Sequence, residues 1–106
     1  MIEKLGITPC PWKTNLFVAQ VDAGELPICK MLWPTKERSE EETMNNENPI
    51  AAAPDMLEAL ITICFCIEQE DPNYPEPITY APYLNMIDVI EKATGKSWDE
   101  IKELII

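Results

Sequence analysis

The cysteines of this chain and its lack of histidine limit the chemistry that it can perform. It holds four cysteines, Cys10, Cys29, Cys64 and Cys66, and no histidine. The cysteines lack the paired C-x-x-C spacing of a zinc site, and two helical residues two positions apart point about 200° apart, so Cys64 and Cys66 cannot face one ion. The missing imidazole also removes the commonest general base. We predict free thiols, with a Cys10–Cys29 disulfide as the alternative, and no metal site, cofactor or catalytic residue.

Two further patterns resemble catalytic motifs without meeting their requirements. Thr94-Gly95-Lys96-Ser97 is similar to the end of a phosphate-binding loop, but the first glycine of that loop would fall at Ile90, inside a predicted helix. Asp99 and Glu103 have i, i+4 spacing. On an acidic chain this spacing indicates a solvated helix face and not a pair of catalytic carboxylates. We predict that the protein is not an enzyme.

Aromatic side chains are candidates for contacts with a ligand or a partner. Tyr74, Tyr80 and Tyr83 lie in or beside a proline-rich segment, residues 71–82. There they either stack on a base or an adenine ring, or pack the loop against the core. Phe65 borders the polar stripe of a predicted helix, so it either contacts a partner or belongs to the core.

The charge of the chain limits its partners. Nineteen Asp and Glu against eight Lys and Arg give a net charge of −11, which argues against direct binding to nucleic acid or to an anionic membrane. Residues 35–48 are predicted to form a mobile acidic connection or a short helix capped by Ser39. The segment is either an acidic contact surface or a plain hydrophilic connection, and the candidate contact residues are Glu40, Glu41, Glu42 and Glu47.

The distribution of apolar residues predicts a cytoplasmic protein. The longest uninterrupted apolar run, residues 63–67, is far too short to span a membrane. Residues 1–4 lack the basic start of a secretory signal. We therefore expect neither a membrane span nor export.

The elements that position these residues predict an α+β fold in one domain, residues 1–106. Strands at Lys13–Val21 and Leu26–Trp33 would form an antiparallel hairpin over about 13–33, because β-branched and aromatic residues flank a glycine-containing break. Pro27 lacks an amide donor, so the second strand should lie at a sheet edge. Trp12, which precedes the hairpin, should be anchored in the core.

Three helices are predicted after the hairpin. The first, over about 54–70, carries an apolar arc about 240° wide, against the roughly 100° stripe that a surface helix needs. We therefore expect either that this helix is central or that part of it contacts a second copy of the chain. Shorter helices are predicted at about 82–94 and about 98–105. Gly95 should end the first of these two helices, and a capping box at Ser97 should begin the second.

Three stretches of the chain carry a family resemblance, namely Thr8-Pro9-Cys10-Pro11-Trp12, Asn46 with residues 50–60, and residues 90–95. Together they resemble small proteins of tailed bacteriophages and prophages. Those proteins often open with Thr-Pro-Gly-Pro-Trp and later carry a signature of the form Asn-Ala-x-Leu-Ile-Ala-Ala-Ala-Pro-x-Leu-Leu-Glu-Ala-Leu. Thr8-Pro9-Cys10-Pro11-Trp12 is similar to the first element, and Asn46 with residues 50–60 is similar to the second. Residues 90–95 resemble the usual ending. Here Pro49 stands where the signature has leucine, so we expect an interruption of the helix before Ile50.

The resemblance implies a phage protein but assigns no functional residue. Small acidic phage proteins often bind and block a host component. This analogy predicts a homo-oligomeric binding protein in the cytoplasm of the infected bacterium, which blocks a host defence protein or sequesters a small nucleotide signal. One alternative is a structural or assembly protein of the phage. The other is an acidic nucleic-acid mimic directed at a basic host protein, with phosphates imitated by Glu37, Glu40, Glu41, Glu42 and Glu47.

Overall fold

A computed structural model describes residues 1–15, 20–31, 39–70 and 80–105 of the chain. Within these residues three short strands precede three α-helices, so the predicted α+β class is confirmed. The chain divides into two compact units. The sheet unit is Thr8–Asp55, and the helical unit is Met1–Ile7 with Met56–Ile106.

The sheet unit contains a three-stranded antiparallel sheet in the order β1-β2-β3. The strands are β1 Trp12–Asn15, β2 Gln20–Ala23 and β3 Leu26–Lys30. The predicted first strand is therefore two strands, which pair with each other, and residues 16–19 between them lie outside the described residues. Gly24 turns the chain between β2 and β3 with φ 62°. The strand that contains Pro27 lies at a sheet edge, as predicted.

Helix α1 spans Glu40–Glu70 without a break, and two of our predictions about it are wrong. It begins well before residue 54, so residues 40–48 are helical and are not a loose connection. Pro49 lies inside the helix and does not interrupt it. The sequence had left open a helix that is capped by Ser39, and α1 begins in this way. Ser39 Oγ accepts a hydrogen bond from the Glu42 backbone N–H at 3.1 Å.

Burial along α1 explains why the helix tolerates proline. Neighbouring buried residues are three or four positions apart, except for Glu47 and Pro54, which are seven apart, and all these intervals keep the residues on one helix face. Each proline removes one helical hydrogen bond, a local cost that regular burial along this face can outweigh. The residues are Thr43, Glu47, Pro54, Leu57, Ile61, Cys64 and Glu68, of which three are polar or charged.

The helical unit contains the two C-terminal helices at their predicted positions. They are α2 Ala81–Thr94 and α3 Trp98–Ile105. Gly95 ends α2 with φ 70°, and its N–H reaches the Glu91 carbonyl at 2.8 Å. The Glu91 carboxylate accepts the Trp98 backbone N–H at 2.9 Å, which satisfies a free donor at the start of α3.

A short 3₁₀ helix at Ile2–Leu5 was not predicted. Ile2 and Leu5 are buried, and the segment packs on α3. The Glu58 carboxylate accepts the Ile2 backbone N–H at 3.3 Å and lies 3.7 Å from the Met1 ammonium. The start of the chain is thereby part of the helical unit.

Helix α1 is long and apolar enough to cross a membrane, judged by length and composition alone. An 18-residue window has a mean hydropathy of 1.8, and 22% of that window is buried in the fold. Our prediction of no membrane span considered only uninterrupted apolar runs. It missed the apolar character of this 18-residue window because charged residues divide the window into short runs. Core helices of soluble proteins pass the same test. Asp55 and Glu58 lie near the middle of the helix, where charge is costly in lipid.

Candidate functional site

An open groove of about 460 Å³ lies in the sheet unit between β1 and α1. Its strand side is formed by Trp12, Lys13 and Thr14. Its helix side combines one amide, two small residues and one carboxylate, namely Asn48, Ala51, Ala52 and Asp55. Volumes of about 300–1,000 Å³ are usual for ligand sites, so the groove is large enough to hold a ligand.

The groove brings together the two stretches that carry the phage resemblance. Trp12 ends the proline-rich element, and Ala51 and Ala52 belong to the helical signature. Trp12 is half-buried at the groove wall instead of anchored in the core, and its indole N–H donates to the Thr8 carbonyl at 3.0 Å. This bond holds the ring orientation. Asp55 accepts a hydrogen bond from the Cys10 thiol at 3.7 Å.

The predicted acidic surface divides into an exposed and a buried part. Glu40, Glu41 and Glu42 are exposed in the first turn of α1. Glu47 has only 1% of its surface exposed, so its carboxylate is not available to a partner on this surface. Its Oε2 has no hydrogen-bond partner in the described part of the chain. Thr43, one turn earlier, is also buried.

A buried carboxylate organises the helical unit. Glu68 on α1 is 6% exposed, and its Oε1 accepts hydrogen bonds from the Tyr83 hydroxyl and the Trp98 indole N–H, both at 2.6 Å. Lys102 Nζ lies 3.5 Å from both carboxylate oxygens and 5.8 Å from the centre of the Trp98 ring. Three donors from two helices thus converge on one side chain. We call these four residues the Glu68 cluster.

The aromatic candidates lie in different surroundings. Tyr83 is buried in the Glu68 cluster, so it does not offer a stacking surface, whereas Tyr80 is 60% exposed. Tyr74 lies outside the described residues. Phe65 is half-buried, with its ring centre 5.3 Å from that of Trp98. Of the two described tyrosines, only Tyr80 therefore has an exposed ring.

The comparisons with known proteins identify a phage family. The model of the family described as Salmonella phage P22 protein Y8K6 matches residues 1–97. The chain belongs to this family. The predicted phage origin is thereby confirmed for the protein as a whole, while the individual motifs stay a resemblance. Searches of curated proteins and of solved structures found no match to this phage protein.

Glu68 is the residue of this phage protein that our sequence reasoning missed. It lies four residues after Cys64 and seven after Ile61, which places it on the buried face of α1. A carboxylate at that spacing is a recognisable signal, because charged residues are almost never fully buried unless they are paired. Across the described ranges no group of three or more Cys, Asp or Glu side chains is arranged to hold a metal ion.

Alkaline pH is expected to destabilise the phage protein. Burial, followed by the nearby Glu68 charge, raises the pKa of Cys64 from 9.0 to about 11. Burial and then the hydrogen bond to Glu68 raise the pKa of Tyr83 above its usual range. The unfolded chain therefore loses these protons at a lower pH than the folded chain, and the free energy of unfolding falls as the pH rises above 9.

Denaturant unfolding between about pH 8 and about pH 11 measures this effect. The Cys64→Ala and Tyr83→Phe variants should each show a shallower loss of stability with pH than the parent protein. An unchanged pH slope in both variants would show that other groups cause the alkaline loss.

Proposed function

We propose that this phage protein acts without catalysis in the cytoplasm of the infected bacterium, where it binds and blocks a protein of the host's antiviral defence. The groove between β1 and α1 carries the proposal. It combines an aromatic ring, an amide and both signs of charge, which are the features that distinguish specific binding sites from bare apolar patches. We further propose that the protein forms homo-oligomers.

The charges in the groove favour a protein partner over a nucleotide signal. Among the described residues that line the groove, Lys13 is the one cation, and Asp55 lies in the same groove. The chain as a whole carries a charge of −11, which repels phosphate groups. The phosphate groups of a nucleotide would therefore meet one cation among the described lining residues, in a chain whose net charge repels them.

A pull-down from infected host cells tests the proposal. The tagged protein should retain a host protein, and the Ala51→Trp variant, which fills the groove, should lose it. Ala93→Trp serves as the control, because Ala93 is exposed on α2 outside the groove. Heating the eluate releases bound small molecules. A retained nucleotide without a retained protein, or copurification with virions instead of a host protein, would sink the proposal.

The oligomer is tested separately by light scattering. Several large apolar side chains on the helices of the helical unit are about half exposed, and a second copy would cover apolar surface of this kind. They are Met56, Ile63, Leu84, Val89 and Leu104. A monomeric mass at micromolar protein concentration would show that these side chains stay in water.

A second candidate function is the acidic nucleic-acid mimic, which the exposed Glu40, Glu41 and Glu42 favour. Replacing all three glutamates with glutamine should then abolish binding to a basic host protein at low salt. Added salt should weaken the complex of the parent protein, because salt screens exposed charges. The matched control neutralises Glu70, Asp88 and Glu103, which are exposed elsewhere. Equal losses in both triple variants would show that only net charge matters.

A further inference from the structure

The groove in the sheet unit runs along Trp12, Lys13 and Thr14 of β1. Successive side chains of a strand point to opposite faces of the sheet. Three consecutive residues, Trp12, Lys13 and Thr14, line the groove, so it follows the backbone of β1 as well as its side chains. The other edge of β1 is paired with β2, and within the described ranges β1 has no second neighbour. In an antiparallel pair, alternate residues of an outer strand direct their N–H and C=O groups away from the partner strand.

The opposite wall of the groove is a helix face with little side-chain bulk. Asn48, Ala51, Ala52 and Asp55 are spaced i, i+3, i+4 and i+7, so they form one row along α1. The two alanines at the centre of this row leave the space between helix and strand open. A strand edge beside such a helix face is the geometry in which an extended peptide adds to a sheet.

We propose that an extended peptide segment of a partner protein lies in this groove and pairs with β1 as an added strand. The inference rests on the proposed protein-binding function and specifies its chemistry. Trp12 offers a surface for an apolar side chain of the peptide, and Asp55 offers a counter-charge for a lysine or arginine. Alternate side chains of an added strand face the same way, so the apolar and basic residues should be two or four positions apart.

The occupant is a peptide and not a nucleotide, because the ladder groups of β1 match a peptide backbone. The acidic sheet unit favours a basic segment. Within its described residues the exposed acids are Glu25, Glu40, Glu41, Glu42 and Asp55, against exposed Lys13 and Lys30. This excess of negative charge should speed the approach of a positively charged chain and disfavour an acidic one.

Selection from a displayed library of random linear peptides of about twelve residues tests the proposal. We expect enriched sequences with an apolar residue and a lysine or arginine at even spacing. Synthetic copies should bind Ala51→Trp at least about tenfold more weakly than the parent protein, and should bind Ala93→Trp like the parent. Circular dichroism of each variant confirms that it is folded.

Methylation of single backbone amides in a selected peptide gives a readout that leaves the protein unchanged. Affinity should fall about tenfold or more when the methylated amides face β1 and should change little at the residues between, so the losses alternate along the peptide. Losses without alternation, equal binding to Ala51→Trp, or no enrichment would overturn the proposal. So would a second copy of the chain occupying the groove, seen as self-association that Ala51→Trp abolishes.

The outcome for this groove is separable from the outcome for the proposed function. If the pull-down retains a host protein equally well with Ala51→Trp, the function stands and the peptide groove fails. If selected peptides bind with the alternating pattern but no host protein is retained, the groove stands and the proposed function fails.

Discussion

Replacing Glu68 with leucine is expected to lower the free energy of unfolding by about 3–5 kcal/mol, the usual cost of removing one partner from a buried charged pair. The loss has two sources. The Tyr83 hydroxyl and the Trp98 indole N–H lose their acceptor at 2.6 Å, and Lys102 loses its buried counter-charge. Each buried donor left without a partner costs about 1–3 kcal/mol.

Two further variants separate these sources. Glu68→Gln keeps a carbonyl acceptor but removes the charge. Its free energy of unfolding should therefore lie between those of Glu68→Leu and the parent protein. Glu68→Leu combined with Tyr83→Phe removes both ends of one hydrogen bond, and the combined loss should be smaller than the sum of the single losses. Glu70→Gln, on the same helix but exposed, should change stability by about 0.5 kcal/mol or less.

Denaturant unfolding, followed by far-UV circular dichroism, measures these differences. If Glu68→Leu is as stable as the parent protein, the carboxylate is not the centre of the helical unit. In that case apolar packing around Ile61, Ile90 and Ile101, which are fully buried, holds the unit without it.

Replacing Glu47 with methionine is expected to have the opposite effect and to raise the free energy of unfolding by about 1–3 kcal/mol, the usual cost of an unsatisfied buried polar group. Glu47 is 1% exposed, and Oε2 has no partner within the described residues. Methionine has a similar length and a similar helix propensity, and its flexible thioether fits irregular space. The substitution therefore removes a desolvated oxygen without removing much volume.

The control for Glu47 is Glu41→Met. Glu41 is exposed in the first turn of the same helix, so methionine there removes a favourable charge near the helix N-terminus and should lower stability slightly. A destabilised Glu47→Met variant would show that the buried carboxylate is bound by a group in solution. A stabilised variant that no longer retains the host protein would indicate that Glu47 is kept for function, as is common for strained or unsatisfied groups.

Local signals made part of this fold predictable from sequence. Ser97 and Gly95 act through their own backbone neighbourhood, so α2 and α3 begin and end close to their predicted residues. The edge position of β3 followed in the same way from Pro27, whose missing amide excludes a central strand.

Predictions failed where tertiary burial overrides a local rule. Pro49 disfavours a helix locally, yet α1 runs through it because residues on both sides continue the same spacing of buried positions. Glu68 was missed for a related reason. A count of apolar residues round the helix stops at Ile67, although Glu68 continues the spacing of the buried positions. Its partners Tyr83 and Trp98 lie on other helices, so no local pattern in the sequence identifies them.

The groove was beyond reach of sequence reasoning, although its two stretches were singled out. Trp12 and Ala51 are far apart along the chain, and each has an ordinary role as a core residue or a helix former. Their meeting depends on how β1 and the first half of α1 are arranged within the sheet unit. No spacing rule carries that information.

The different surroundings of two tryptophans equip this protein with two optical reporters. Trp98 is buried with its N–H bonded to a carboxylate, so its fluorescence should change when the helical unit unfolds. Trp12 is half-buried at the groove, so its emission should respond to an occupant. With Trp33 replaced by phenylalanine, single-tryptophan variants would record folding and occupancy as separate signals in one titration. The groove can therefore be screened spectroscopically without attaching a dye.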